Sequence, residues 1–356
     1  MRKVFINIWT IILLFGGISF GQPTDFKITK TIPHTLIKNQ YRSNTCWAFA
    51  GISFLESEII RKHNQEIDLS EMYIIKNAFL NKADRYVRMH GNVNFSGAGE
   101  FNDVIDIVRD YGIVPETAFS ARQENMTYMH GEMDEVLKAY VDAIIKNKSD
   151  RLSNVWNEGF NMLLNVYLGS AQSTFTYKDQ QFNAESFAKY LSIIADDYIL
   201  VTSFVHHPYY KPFILEVPDN WSNGSYYNLK IEDLIEITDY SINNGYSVLW
   251  VGDISEAEFS WEQGVAYCSD KEINEKKRQI AFDNYETTDD HGMHIVGLAK
   301  DKNGEEFYYA KNSWGTTNLS NGYIYLSKDY FRYKTISLMV NKSSLPETIK
   351  SKLNLN

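Results

Sequence analysis

Residues 40–50, QYRSNTCWAFA, constrain this chain more than any other segment, because they place a cysteine at the start of an amphipathic helix. Apolar residues follow Cys46 at helical spacing, and Ser43, Asn44 and Thr45 are residue types that cap helix N-termini. The unpaired N–H groups of a first helical turn carry partial positive charge, which lowers the pKa of a thiol and favours the reactive thiolate. Most free cysteines are simply small buried residues, so partners elsewhere must decide the role of Cys46.

Two later segments supply those partners. His291, in DHGMHIVG, could accept the proton of the thiol, and Asn312, in KNSWG, could orient the imidazole ring. Gln40, six residues before Cys46, could donate an amide hydrogen to a developing oxyanion. Cysteine, histidine and asparagine in this chain order form the arrangement of papain-like proteases.

Further motifs extend the match from about residue 40 to about residue 346. The chain resembles the papain superfamily of cysteine peptidases, and more narrowly its bleomycin hydrolase and aminopeptidase C branch. The motifs that carry this resemblance, beyond residues 40–50, are LSE at 69–71, AG at 98–99, YGIVP at 111–115, VLWVGDI at 248–254, HGM at 291–293 and KNSWG at 311–315.

The resemblance implies an α+β, papain-like fold in two parts. A helical half would hold the central helix that begins at Cys46, and an antiparallel β half would carry His291 and Asn312. The long separation of Cys46 from His291 indicates a helical insertion at about residues 120–195. The predicted helices cover residues 46–63, 71–80, 101–112, 136–145, 155–167, 182–191 and 231–244, and the predicted strands cover 199–205, 226–229, 247–254, 292–298, 306–310 and 322–326.

The resemblance also implies roles for three residues around the catalytic group. The backbone at Ala98 and Gly99 would pair with the substrate chain, and Ala98, which replaces a glycine of the family, would narrow the adjoining wall. Trp314 would shield the hydrogen bond between histidine and asparagine from water. A plain loop glycine and a core tryptophan are the simpler interpretations. We expect no cofactor.

Two stretches raise the question of a metal site. A site built from His291, His294, Asp289 and Asp290 is the alternative to a catalytic His291, but no glutamate or cysteine is spaced to complete it. The adjacent pair at residues 206–207 would point to opposite sides of a strand, which favours a surface loop. We therefore expect no metal.

Composition excludes several classes of protein. Hydrophobic residues make up 44% of the chain and aromatic residues 14%, enough for a large core. The net charge of −10 and the lack of a basic patch argue against nucleic acid binding. An acidic surface gives a mild preference for cationic substrates.

Residues 1–21 are predicted to be a secretory signal peptide, with Arg2 and Lys3 before an apolar run and cleavage before Gln22. The expectation is an exported protein, periplasmic or extracellular, with no stable membrane anchor and one peptidase domain over residues 22–356. Only 24 residues would then precede Cys46, too few for a long helical pro-segment. A disulfide from Cys46 to Cys268 would consume the nucleophile, so we expect none and a structural role for Cys268.

The C-terminal segment, residues 340–356, bears on how the enzyme cuts. In the bleomycin hydrolase branch a longer tail enters the cleft and restricts cutting to free N-termini. Here the tail is shorter, although residues 346–355 could fold back and bring the Asn356 carboxylate to a substrate's α-amino group. Aminopeptidase is the first prediction, with peptide or protein substrates. An endopeptidase with an open cleft is the alternative.

Two readings outside peptidase activity carry less weight. A catalytically silent binding scaffold is disfavoured because all four catalytic positions are filled. A transglutaminase-like acyltransferase is disfavoured by Asn312, since those enzymes use aspartate there. Relatives form ring-like assemblies, so a homo-oligomer is an open expectation.

Overall fold

The computed structural model describes residues 26–121, 127–147, 151–270 and 272–355. They form an α+β structure, as predicted, with a mainly helical part and a part built on one large sheet. The predicted signal peptide, residues 1–21, lies outside the described residues. The helices are α1 Cys46–His63, α2 Glu71–Arg88, α3 Phe101–Tyr111, α4 Gly131–Lys146, α5 Val155–Leu168, α6 Ala184–Tyr190, α7 Ile231–Asn243, α8 Glu275–Asp283, α9 Lys328–Lys334 and α10 Glu347–Leu353.

Helix α1 is the central helix of the helical part, with the bounds that the sequence predicted. Nearly all of its residues are buried on every side, from Trp47 to Ile59. It ends at Asn64, which adopts the left-handed conformation at φ 51° that asparagine tolerates. Helices α2 and α3 pack on α1, and α4 and α5 pack on α2, so that all five helices share one apolar core.

An eleven-stranded sheet forms the second part of the described chain, in the order β5-β6-β4-β13-β7-β10-β11-β12-β9-β8 with β1 on β10. Most neighbours are antiparallel, as predicted, but β4–β6 and β12–β9 are parallel. A small separate hairpin joins β2 and β3. The strands are β1 Lys27–Thr31, β2 Phe175–Tyr177, β3 Gln180–Phe182, β4 Tyr198–Thr202, β5 Pro212–Ile214, β6 Ser225–Asn228, β7 Val248–Gly252, β8 Phe259–Ser260, β9 Val265–Ala266, β10 His291–Lys300, β11 Glu306–Lys311, β12 Tyr323–Ser327 and β13 Thr335–Asn341.

The N-terminal end of α1 packs directly on the start of β10, and a glycine makes this possible. A Cβ built on Gly292 would lie 3.5 Å from Trp47 Cα and 3.1 Å from the ring of Phe101. A larger residue would push the helix away from the strand. Gly292 therefore lets the first residue of α1, Cys46, lie beside the first residue of β10, His291.

The region predicted as an insertion, about residues 120–195, contains α4, α5, the β2–β3 hairpin and α6. Helices α4 and α5 pack on α2, so this region extends the helical core. Its status as a separate insertion stays a prediction.

The described end of the chain packs away from the cleft, against α7. Ser241 donates a hydrogen bond to Ser344, Lys352 pairs with Asp233 at 2.8 Å, and Leu353 is buried in the core of the sheet part. No described residue from 340 to 355 lines the cleft that holds Cys46. The possibility that residues 346–355 fold back into the cleft was left open by the sequence, and the described residues do not do so. Asn356 lies outside the described residues.

Two further predictions concern single features. Cys46 and Cys268 are not joined by a disulfide, as expected. The buried Cys268 thiol instead lies 3.5 Å from the carbonyl oxygen of Asp270. Within the described residues, every helix is too short or too polar to cross a membrane.

Candidate active site

Six of the seven predicted site residues line one cleft between the two parts of the molecule. This cleft, of about 880 Å³, has Cys46 and Trp47 on the helical side and His291 and Gly292 on the sheet side. Gln40, Ala98, Gly99 and Trp314 also border it. Asn312 lies behind His291 and is only 2% exposed.

The imidazole of His291 is fixed by Asn312. Nε2–H of His291 donates to Asn312 Oδ1 at 2.7 Å, and the backbone N–H of Ser313 donates to the same oxygen at 2.7 Å. Because Nε2 is engaged, Nδ1 is the nitrogen left to exchange a proton with a thiol in the cleft. The predicted orienting role of Asn312 thus has a direct geometric basis.

Burial dominates the ionisation of this pair. It raises the pKa of the Cys46 thiol to about 12, although the backbone N–H groups of Gly292 and Trp47 stabilise the thiolate. It lowers the pKa of His291 to about 4, against the hydrogen bond to Asn312. The predicted net lowering of the pKa of Cys46 by the helix N-terminus is therefore wrong. Neither group carries charge by itself at neutral pH, so the proton must pass from Cys46 to His291 as a coupled event.

Gln40 is held with its amide nitrogen free to serve an oxyanion. The backbone N–H of Gln40 donates to Ser313 O at 2.8 Å, and Ser313 Oγ donates to Gln40 Oε1 at 2.6 Å. The side-chain carbonyl is thereby occupied, so the NH₂ group is the part left to face the cleft. Ser313 was not identified as a site residue from the sequence, although it lies inside the motif that contains Asn312.

The indole of Trp314 covers the ring of His291. Their ring centroids are 4.6 Å apart at an interplanar angle of 37°, and Trp261 packs edge-on against Trp314 at 5.2 Å. This apolar cover limits water near the bond from His291 to Asn312, which strengthens that bond. The predicted shielding role is consistent with this packing.

The loop that carries Ala98 and Gly99 forms the opposite wall. Trp47 Nε1 donates to Gly97 O at 3.0 Å, and Lys82 Nζ donates to Ala98 O at 2.5 Å. A Cβ on Gly99 would lie 3.0 Å from the Trp47 ring and 2.8 Å from a carboxylate oxygen of Asp103, so only glycine fits. Within the described chain no partner uses the backbone N–H or carbonyl of Gly99, so both can pair with a peptide.

Carboxyl groups are the feature of the cleft that the sequence did not reveal. Among the residues that the structure describes, five carboxyl-bearing residues line the cleft, and Arg42 is the only arginine or lysine that does so. Burial and the neighbouring Asp219 together raise the pKa of Asp289 to about 7. Burial and the same two aspartates raise the pKa of Glu100 well above its usual value. The five residues are Glu100, Glu132, Asp219, Asp289 and Asp290.

Asp289, Asp290 and Glu100 lie beside residues of known motifs, whereas Asp219 and Glu132 come from distant parts of the chain that no motif marks. Asp219 is placed by Asn94, whose Nδ2 donates to Asp219 Oδ1 at 2.7 Å, and by Asp289, which accepts its backbone N–H at 3.3 Å. The net charge of −10 was the one available signal, and it gives no position.

The structure does not bring His291 and His294 together as ligands of one metal ion. His294 faces helix α1, where Ser53 Oγ and His294 Nδ1 are 2.8 Å apart, and it is fully buried. His291 instead faces the cleft. Histidines 206 and 207 do come together with Glu216, because they lie in a turn after β4 rather than on a strand. The prediction of a surface loop at these two histidines is therefore confirmed, and the argument from a strand does not apply to them.

Comparison with known proteins gives the family. A model of the Peptidase C1-like family matches residues 22–356. Bleomycin hydrolase of Gallus gallus is 24% identical, over 88% of this chain and 81% of that protein. Aminopeptidase G of Lactobacillus delbrueckii subsp. lactis is 22% identical, over 88% of this chain and 82% of that protein.

A solved structure supports the same conclusion at the level of the fold. The crystal structure of PepW from Lactobacillus rhamnosis HN001 aligns with a TM-score of 0.72 at 18% identity, over 92% of this chain and 84% of that one. This likeness confirms the predicted papain-like α+β fold. Since the family model covers almost the whole chain, this protein belongs to the Peptidase C1-like family, as a relative of the bleomycin hydrolases and aminopeptidases C.

Proposed function

We propose that this protein is an exported cysteine peptidase that releases residues from the free N-terminus of peptides. Cys46 is the nucleophile, His291 the base and acid, Asn312 the group that orients His291, and Gln40 the oxyanion donor. The observation that carries the N-terminal preference is the carboxyl-lined cleft around Cys46.

The reaction follows from the positions of these groups. Cys46 Sγ attacks the peptide carbonyl carbon while its proton moves to His291 Nδ1. The carbonyl oxygen takes the electron pair and is held by the Gln40 amide and the Cys46 backbone N–H. The C–N bond breaks as His291 gives its proton to the leaving amine, which leaves a thioester. Water then attacks the thioester and loses a proton to His291, which returns it to Cys46 as the acid departs.

The carboxyl groups lie where the N-terminal part of a substrate would bind. Asp219 is tied through Asn94 to the loop of Gly99, whose free backbone groups offer the pairing edge for a peptide. Both Asp219 and Glu100 oppose ionisation of Cys46, which means that they are electrostatically close to the nucleophile. A substrate's α-ammonium group in this region would meet several negative or ionisable partners.

The raised pKa values indicate that this cluster lacks enough positive charge of its own. Burial raises the pKa of Asp219, and the neighbouring Asp290 contributes in the same direction. Lys82 is the nearby cation that acts in the opposite direction, but its ammonium group donates to loop carbonyls. A bound ammonium group would relieve the repulsion among the carboxylates, so the cluster selects a cationic ligand.

A comparison of three fluorogenic substrates tests this proposal. One peptide carries a free N-terminus, the second is the same peptide N-acetylated, and the third is an N-acetylated peptide with arginine near the scissile bond. Cys46→Ala protein serves as the blank. Cleavage of the free peptide alone is the expected result. Equal cleavage of the first two would overturn the N-terminal preference, and cleavage of none would favour the silent scaffold.

Endopeptidase activity is the second candidate, and one observation favours it. The described C-terminal segment is docked on α7 by Ser344, Thr348 and Lys352, and it does not enter the cleft. The cleft is therefore not closed by those residues. Preferred cleavage of the third substrate would assign the carboxyl groups to recognition of a basic side chain within a longer chain.

Export is proposed from the N-terminal sequence alone. Expression of the full chain with its residues 1–21 in a bacterial host, followed by N-terminal sequencing of the mature protein, is the direct test. A mature chain that starts at Gln22 supports export, and a chain that retains residues 1–21 in the cytoplasm contradicts it.

A further inference from the structure

A cluster away from the catalytic cleft has the geometry of a metal site. His206 and His207 lie in the turn that follows β4, and Glu216 lies just after β5. His206 Nε2 is 2.7 Å from Glu216 Oε2, and His207 Nε2 is 3.1 Å from Glu216 Oε1. One ligand atom from each residue lies within 4.8 Å of the others. The peptidase reaction uses none of these three residues.

The protonation of His206 can be assigned from its neighbour Gln279. Gln279 Nε2 donates to Asp283 Oδ1 at 2.7 Å, and the backbone N–H of Val205 donates to Gln279 Oε1 at 2.8 Å. Oε1 is therefore an acceptor, and His206 Nδ1, at 3.2 Å from it, must carry the hydrogen. In the neutral ring, Nε2 is then the atom with the lone pair.

This assignment leaves lone pairs facing each other. A neutral His206 Nε2 and a carboxylate oxygen of Glu216 are both acceptors, so their separation of 2.7 Å requires a positive charge between them. The two imidazole rings are close, with centroids 4.5 Å apart, and both Nε2 atoms face the same carboxylate. One divalent cation could serve all three ligands.

The surroundings hold the two rings in place while leaving them accessible. His207 stacks on Phe213 with centroids 4.2 Å apart, and His206 lies parallel to Phe282 at 5.9 Å. The side chains of His206 and His207 are 29% and 32% exposed, so an ion can enter from solvent. The hydrogen bond from His206 Nδ1 to Gln279 resembles the outer-shell bond that orients metal-binding histidines.

We propose that His206, His207 and Glu216 bind a divalent transition-metal ion, and that Zn²⁺ fits this donor set. Two imidazole nitrogens with one carboxylate form a zinc ligand set that leaves a fourth position to water. Zinc–ligand bonds of about 2.0–2.1 Å place tetrahedral ligands roughly 3.3 Å apart. The three ligand atoms lie within 4.8 Å of one another, a spacing that one ion can bridge after side-chain adjustment.

Isothermal titration of the full chain with ZnCl₂ at pH 7.5 tests this inference. The titration uses Cys46→Ala protein, because the catalytic thiol is itself a zinc ligand. We expect one bound ion per chain. Replacing zinc with Co²⁺ should give the visible absorption bands of a tetrahedral nitrogen and oxygen site.

Two variants and two matched controls locate the ion. His207→Ala and Glu216→Gln, each in the Cys46→Ala protein, should weaken binding by more than the roughly tenfold to hundredfold cost of outer-shell changes. His90→Asn and Glu347→Gln, which change an exposed histidine and an exposed glutamate elsewhere, should leave the affinity unchanged. Circular dichroism without zinc verifies that each variant folds.

The outcomes distinguish a bound metal ion from an ordinary hydrogen-bonded contact between the histidines and Glu216. No zinc binding by the folded Cys46→Ala protein would overturn the proposal and leave a proton as the shared charge. Binding that persists in both His207→Ala and Glu216→Gln would place the ion elsewhere and would also overturn it. Neither result depends on peptidase activity, so the proposed function is tested separately.

Discussion

Lys38 and Lys82 both lie within the helical part, but their surroundings differ in charge. Lys38 Nζ is 2.7 Å from Glu71 and 2.5 Å from Asp68. Burial acts to lower the pKa of Lys38, but Glu71, Glu56 and Asp68 together raise it above its usual value. Around Lys38, charges of opposite sign are in direct contact and stabilise each other.

Lys82 has no carboxylate in direct contact among the described residues. Its ammonium group donates to the carbonyl oxygens of Ser96 at 2.8 Å and Ala98 at 2.5 Å. Burial lowers the pKa of Lys82 to about 8, and Asp103 and Asp219 only partly oppose this. The ammonium group of Lys82 therefore holds the loop of the cleft in place. It does not neutralise the nearby carboxyl groups.

The comparison distinguishes the charged residues around Lys38, which stabilise the fold, from the carboxyl groups of the cleft, which can bind a cationic ligand. Lys38 is in direct contact with the carboxylates of Asp68 and Glu71, although burial raises the pKa of Glu71 to about 8. This buried cluster lies outside the cleft, so its main effect is on stability. Along the cleft there are more carboxyl groups than cationic side chains, so a bound cationic ligand can neutralise part of their negative charge. Each prediction below changes one of these two regions and measures both stability and activity.

The largest expected effect is on stability, at Glu56. This residue is 1% exposed, and it accepts hydrogen bonds from the backbone N–H of Leu69 and from Thr35. Removing one partner of a buried charged network costs roughly 3–5 kcal/mol, so Glu56→Ala should lower the free energy of unfolding by about that amount. Urea denaturation measures the change.

The same Glu56→Ala protein should keep its substrate preference. Below the denaturation midpoint, the ratio of cleavage between free and N-acetylated peptides should match the unmodified protein. Glu347→Ala is the matched control, because Glu347 is 83% exposed in its pair with Lys350. A change in the substrate ratio without loss of stability would mean that the Lys38 region is not purely structural.

The next effect is on selectivity, at Asp219. Asp219→Asn keeps the shape of the side chain but removes its charge. We expect the ratio of kcat/KM for the free peptide to kcat/KM for the acetylated peptide to fall about tenfold, which corresponds to about 1.4 kcal/mol. This ratio cancels any effect of the lost charge on ionisation of Cys46. Steady-state kinetics on both substrates measure it.

Asp106→Asn serves as the control for Asp219→Asn, since Asp106 pairs with Arg109 on the surface away from the cleft. An equal fall of kcat/KM on both substrates would show that Asp219 supports the cleft rather than recognising an ammonium group. Thermal denaturation of the variant separates this from partial unfolding.

The features that the sequence could predict are those that the local chain determines. Helix α1 was predicted with the correct ends because apolar residues recur at helical spacing after Cys46 and because Thr45, a residue type that favours the N-cap, precedes it. Gln40, Cys46, His291 and Asn312 could be named because short motifs surround each of them. The local chain determines these features, so local reasoning finds them.

Features that depend on packing between distant segments could not be predicted. Asp219 reaches the cleft because Asn94 and Asp289 hold it, and neither contact has a local sequence signal. Strand β13 lies between β4 and β7, but its apolar run of residues 335–341 was not identified as a strand. The pKa of Cys46 was misjudged in direction because burial depends on the assembled cleft.

The smallest expected effect is a pH dependence of selectivity. Because burial and Asp219 raise the pKa of Asp289 to about 7, its carboxyl group is mostly neutral at pH 5.5 and mostly charged at pH 7.5. A substrate α-amino group stays protonated up to about pH 8. The preference for the free over the acetylated peptide should therefore rise a few-fold between pH 5.5 and 7.5, by roughly 1 kcal/mol or less.

The ratio of kcat/KM values cancels effects on Cys46 and His291, which act on both peptides. Asp289→Asn should flatten this ratio, whereas a ratio that rises equally in the variant would assign the titration to another group.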